Sequence, residues 1–181
     1  MIQNQVPSKQ VSPTKIPSVD YGKSAGIFDI ISRVFTVASK KSGMDGAAAF
    51  LLVAPVSDIE NYFINSKIGI FQNEDLHDRN ESLAQLSFIW MHEHPNSLSS
   101  LGSIRGPTEK NKQGAAIRTK DYIFSLSSTM RFLDESVLIV SALKLGQLKE
   151  GEVIDIKISN GGNKRWRELL FDCESIKPFH L

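Results

Sequence analysis

Four histidines occur in the chain, and two of them, His92 and His94, stand one residue apart at the end of Ser87-Phe88-Ile89-Trp90-Met91 and directly before Pro95. Read as an extended strand, this run sends residues i and i+2 to the same side. Both imidazoles then present ring nitrogens to one point, as a Zn²⁺ ion requires. A hydrolytic zinc site needs three more things: a third protein ligand, an open position for water, and a base to take that water's proton. On a strand Glu93 would face the other way. Asn96 stands where a His-Glu-x-x-His motif would place its second histidine, so that chemistry is excluded.

The elements that would hold such a site can be read along the chain. Residues 1–22 carry Pro7, Pro13 and Pro17 among polar residues. That composition cannot offset its ordering entropy, so the expectation is a flexible tail followed by one domain over 23–181. Ser24 is a plausible N-cap. Ile27, Ile30, Ile31, Val34, Phe35 and Ala38 then recur at helical spacing up to Gly43. Strands are expected over Ala47–Ala54, closed by Pro55, and over Tyr62–Phe71, with Gly69 marking a bulge. Asn73–Asn80 reads as a polar loop, and Glu81–Leu86 as a short helix feeding the strand Ser87–Met91. Asn96–Gly106 reads as a surface loop, and Thr108–Thr119 as a second helix capped by Thr108. Strands are expected again at Tyr122–Leu126, Ser136–Ala142 and Val153–Ile158. Asn160-Gly161-Gly162-Asn163 makes a turn, and Lys164–Phe171 a returning strand or a short final helix. The order implies an α/β (α+β) fold with a mixed sheet flanked by helices.

The His92-Glu93-His94-Pro95 element, in this order of elements, resembles the signature of the JAMM (MPN-type) metalloprotease family, closest to the divergent forms in bacterial toxin and effector proteins. Gly106-Pro107-Thr108-Glu109-Lys110-Asn111 is similar to the Gly-Pro-Ser-x-x-Asp form found there, and the resemblance covers about residues 24–145. It implies a Zn²⁺ ion on His92, His94 and Asn111, with Thr108 steadying the oxyanion and Asp45 as general base. Three positions depart from the family pattern. Thr108 keeps a hydroxyl and Asp45 keeps a carboxylate with shorter reach. Asn111 replaces a carboxylate by a neutral amide, a poorer zinc ligand. Glu109 and Asp121 stay open as third ligands, and Glu60 and Glu74 as bases.

Three functions follow as expectations. The first is a zinc-dependent hydrolase cutting a peptide or isopeptide bond. The second is an inactive JAMM-fold module that binds a partner protein. The third is a nucleic-acid-targeting toxin using Lys164-Arg165-Trp166-Arg167. With 21 basic against 20 acidic side chains and a net charge of +1, no field of one sign favours nucleic acid. No apolar run approaches the ~20 residues of a membrane span, and the polar N-terminus lacks a Sec-type apolar core. Localisation is therefore cytoplasmic or exported by another route. His77 reads as a solvated loop residue, and His180, next to the terminus, carries no expected role. The single Cys173 excludes an internal disulfide and reads as a buried thiol.

Overall fold

A computed structural model describes residues 21–100, 114–130, 133–159 and 165–179. The elements, in order, are α1 (Tyr21–Lys41), β1 (Ala49–Pro55), β2 (Ile64–Ile68), α2 (Glu74–Glu93), β3 (Ala115–Arg118), β4 (Tyr122–Ser128), α3 (Asp134–Lys144), α4 (Glu150–Ser159) and α5 (Arg165–Asp172). The four strands form one fully antiparallel sheet in the order β2-β1-β4-β3. The combination of helices and sheet expected from the sequence is therefore present, as a single domain, but the sheet is antiparallel throughout rather than mixed.

The sheet is covered on both faces, and β1 shows why. Its run Ala49-Phe50-Leu51-Leu52-Val53-Ala54 is apolar at every position, the pattern of a strand buried on both sides. Ala49, Leu51 and Val53 face the layer that contains Ile27, Ile31, Val34 and Phe35 of α1, Val137 and Val140 of α3, and Leu169 of α5. Phe50, Leu52 and Ala54 face Ala84, Phe88 and Met91 of α2. α1 follows its expected stripe, ends on paired lysines, and is stopped at Gly43 in the left-handed region (φ 67°).

Five expectations fail. Asn73–Asn80 is not a loop: Asn73 is the N-cap of α2, and Glu74–Asn80 are helical. The Asn73 side chain accepts the Leu76 N–H at 2.9 Å and places Glu74 and Asp75 in the first turn. The helix then runs unbroken through Ser87–Met91, because Asn80, Leu83, Ala84, Ser87, Phe88 and Met91 bury one helical face. Ser136–Ala142 is part of α3, not a strand. It is buried at every position, which removes the periodicity that separates helix from strand. Val153–Ile158 likewise belongs to a helix, α4. Where a helix was expected up to Thr119, Ala115–Arg118 is a strand paired to β4. Of the two alternatives for Lys164–Phe171, the short helix is the one present, as α5. The Asn160–Asn163 turn lies outside the described residues.

The two sheet edges differ. Beyond β3, the Ser100 N–H donates to the Ala116 carbonyl at 2.9 Å and the Arg118 N–H to the Leu98 carbonyl at 3.1 Å, around a Ser99–Ile117 bridge. The Ser99 hydroxyl donates to Glu135 at 2.5 Å and ties this flap to α3. β2 pairs only with β1 among the described residues.

α2 lies very close to the sheet at its β3 side. A Cβ on Gly114 would sit 2.7 Å from both the Leu83 carbonyl oxygen and the Ser87 hydroxyl oxygen. Gly114→Ala should therefore destabilise the domain by roughly 1–3 kcal/mol, read as a lower urea midpoint with unchanged slope. An unchanged midpoint would mean that α2 can lift away without cost.

Candidate functional site

The helix assignment of Ser87–Met91 changes the geometry of the histidine pair. At 3.6 residues per turn, residues two apart lie on roughly opposite sides of a helix. His92 occupies the last turn and is exposed, and His94 is the C-cap. The His94 ring stacks on Trp90, with centroids 4.0 Å apart and planes at 11°. Its Nδ1 donates to the Trp90 carbonyl at 2.8 Å, because a carbonyl can only accept. Nε2 remains for any external partner. With His92 in the last helical turn and His94 stacked on Trp90 at the cap, the strand geometry that would aim both rings at one point is absent.

Arg118 fixes this end of α2. Its guanidinium donates to the carbonyls of Met91 at 2.8 Å and His92 at 3.4 Å, placing a cation on the negative end of the helix dipole. Burial lowers its pKa from the ordinary arginine value.

Asp45 lies at the opposite end. It is exposed in the α1–β1 loop and lines a shallow cavity of about 280 Å³ with Met44, Ile70, Phe71, Leu76 and Thr129. Leu76 in that lining and His92 are separated along α2 by about 24 Å, at 1.5 Å per residue. The expected base and the expected zinc ligands are thus held apart by most of the length of one helix. Thr108, Asn111 and the alternative ligand Glu109 lie outside the described residues, as does His180. Asp121 is exposed in the β3–β4 turn, where its carbonyl accepts the Val56 N–H at 2.9 Å. Glu60 and Glu74 are exposed and line no described cavity.

One further set of ligands escaped sequence reasoning. His77, read as a solvated loop residue, sits in the second turn of α2 with its ring edge-on between Phe50 (5.4 Å) and Phe71 (5.3 Å). Its Nδ1 is 3.1 Å from Asp78 Oδ1 and 4.0 Å from Glu81 Oε2. One ligand atom from each of these three residues lies within 4.8 Å of the others, and such a set could hold a divalent cation. The i, i+4 spacing of His77 and Glu81 was the available signal, hidden because the segment was read as a loop. Phe71 joins this cluster to the Asp45 cavity, since it contacts the His77 ring and lines the cavity wall.

The basic-aromatic segment is also rearranged. In α5, Trp166 is buried while Arg165 and Arg167 are exposed, so the segment is no continuous basic-aromatic face; Lys164 lies outside the described residues. Cys173 is buried as expected, and burial pushes its thiol pKa up to about 11.

No family model, curated protein or solved structure matches the chain. Among the described residues, no helix is long and apolar enough to cross a membrane.

Two outcomes are expected. Arg118→Ala removes the charge on the end of α2 and should cost roughly 1–2 kcal/mol, with faster amide exchange confined to residues 90–94. Exchange that stays unchanged there would remove Arg118 from this role. Cys173 should resist a thiol reagent at pH 8 in the native protein and react at once in denaturant. Because the folded pKa is raised, native reactivity should grow only as pH climbs towards about 11. Rapid native labelling at pH 8 would contradict the burial.

Proposed function

We propose that the chain is a non-catalytic protein-binding module, which engages its partner along the open edge of β2. The observation that carries this reading is the asymmetry of the sheet. The β3 edge is closed by residues 98–100, whereas β2 presents an unpaired edge among the described residues. Beside it runs a groove of about 530 Å³ between α1 and β2, lined by Tyr21, Ala25, Phe28, Phe63 and Ile64 together with the polar Ser24, Asn65 and Ser66. Tyr21 is 81% exposed. An unpaired edge offers a row of backbone donors and acceptors, and an adjoining groove takes side chains from the strand that joins it.

The distance between the histidine pair and Asp45 supports the same reading. A hydrolase of the resembled type would need His92, His94, a third ligand and a base around one ion, and α2 separates the first two from Asp45. The inactive alternative asks none of this of the molecule.

A photo-crosslinking residue placed at Asn65, expressed in the full chain in cells, should give a discrete adduct. The same residue at Glu150 should give none. Adducts from Asn65 should persist in the His92→Ala, His94→Ala variant. Equal labelling from both positions would overturn the reading. A peptidase activity abolished by the double histidine variant would restore the hydrolase in its place.

A second reading has its own observation. The His77, Asp78 and Glu81 ligand atoms, within 4.8 Å of one another, favour a surface divalent-cation site. Titration calorimetry with Zn²⁺ should then show His77→Ala weakening binding at least tenfold, the scale of losing one ligand. Equal affinity in wild type and variant would dismiss it.

A further inference from the structure

Resting on the binding-module reading, we propose that the occupant of the β2 edge is a second copy of this chain. The two copies pair antiparallel about a twofold axis through Ser66. The strand Ile64-Asn65-Ser66-Lys67-Ile68 carries the argument, because it has nearly the same chemical pattern in both directions: apolar, polar, small, polar, apolar. A closed twofold interface requires such self-complementarity, since residue i of one copy meets residue j of the other and the reverse.

The register can be written out. A twofold perpendicular to the sheet keeps each face on its own side. Pairing about Ser66 therefore sets Ile64 opposite Ile68 of the second copy, twice, on the α1 face. Ser66 meets itself on that same face, and on the other face Asn65 meets Lys67, also twice. No two like charges are opposed, and each ammonium finds an amide carbonyl. Cross-strand pairs of this kind are the unit of sheet stabilisation. The twofold keeps each face on its own side, so the next registers are shifted by two. These set Ile64 or Ile68 opposite Ser66, and the latter also opposes the two Lys67 side chains.

The surroundings fit the same occupant. α1 packs on the face that carries Ile64 and Ile68, and its residues Tyr21, Ala25 and Phe28 flank the β2 groove. The twofold brings the two α1 helices to the same face of a joined eight-stranded sheet, where the exposed Tyr21 of each copy reaches the groove region. Lys67, exposed on the other face, is the usual device against edge pairing. In this register it meets an asparagine instead of its own copy, so the guard is neutralised for this partner and kept against other registers.

Sedimentation velocity on the purified full chain tests the inference. Wild type should show a concentration-dependent species at twice the 20.1 kDa chain mass. Asn65→Lys opposes two lysines on each side of the axis and should weaken association roughly threefold or more, while Asn65→Glu should tighten it by a similar factor. The double variant Asn65→Lys, Lys67→Asn again sets one lysine opposite one asparagine and should return to wild-type association. Both positions are exposed, so unchanged circular dichroism is expected throughout. A dimer that ignores all three variants lies elsewhere and overturns the proposal. A protein at 20.1 kDa at every concentration also overturns it. If cells nonetheless give an Asn65 adduct to a different protein, the binding-module reading stands and only the identity of the partner falls.

Discussion

The structure depends on how closely α2 lies against the sheet. Small polar residues set that distance. The Ser125 hydroxyl donates to the Ala84 carbonyl of α2 at 2.7 Å, and the Ser127 hydroxyl donates to the Asn80 side chain at 2.9 Å. Asn80 in turn donates to the Leu76 carbonyl at 2.7 Å. Each bond contributes on the order of 1 kcal/mol net, and a buried hydroxyl left without a partner would cost as much or more. With Gly114 leaving room beside Leu83 and Ser87, these contacts fix both the height and the rotation of the helix.

That rotation decides what every histidine on α2 can do. It wedges His77 between Phe50 and Phe71 beside two carboxylates. It points His92 outwards in the last turn and leaves His94 folded back on Trp90 at the cap. A strand at the same place would have put His92 and His94 side by side. The chemistry expected of the pair was a property of backbone geometry, and the backbone is helical there.

Much of the scaffold was legible from sequence, and the misreadings share a cause. α1 declared itself through its isoleucine stripe and Gly43, β1 and β4 through apolar runs, and β2 through alternation between Tyr62 and Gly69. Ser87-Phe88-Ile89-Trp90-Met91 looked like a strand because aromatic and β-branched residues favour pleated surfaces. Its helical period shows only when Asn80, Leu83 and Ala84 are counted in the same face. The cue at the start of that helix was Asn73 followed by Glu74 and Asp75, a capped, acidic first turn. α3 concealed itself differently: a helix buried all round has no polar face to betray its period. Of the candidate site, Asp45, His92 and His94 were found as residues, but their separation is a tertiary fact. The His77 cluster was hidden behind a loop assignment.

Among the described residues the sheet has one edge closed by residues 98–100 and one, β2, paired only with β1, and the proposed binding role takes up the second. Both the separation of His92 from Asp45 and the proposed binding role rest on α2 being one helix from Glu74 to Glu93. Nuclear Overhauser contacts across Ser87–Glu93 measure this most directly. The account predicts strong amide–amide contacts between neighbours and contacts from each α proton to the amide three residues on. Strong α-proton contacts to the next amide alone, together with cross-strand partners, would show an extended run, return His92 and His94 to one face, and contradict it.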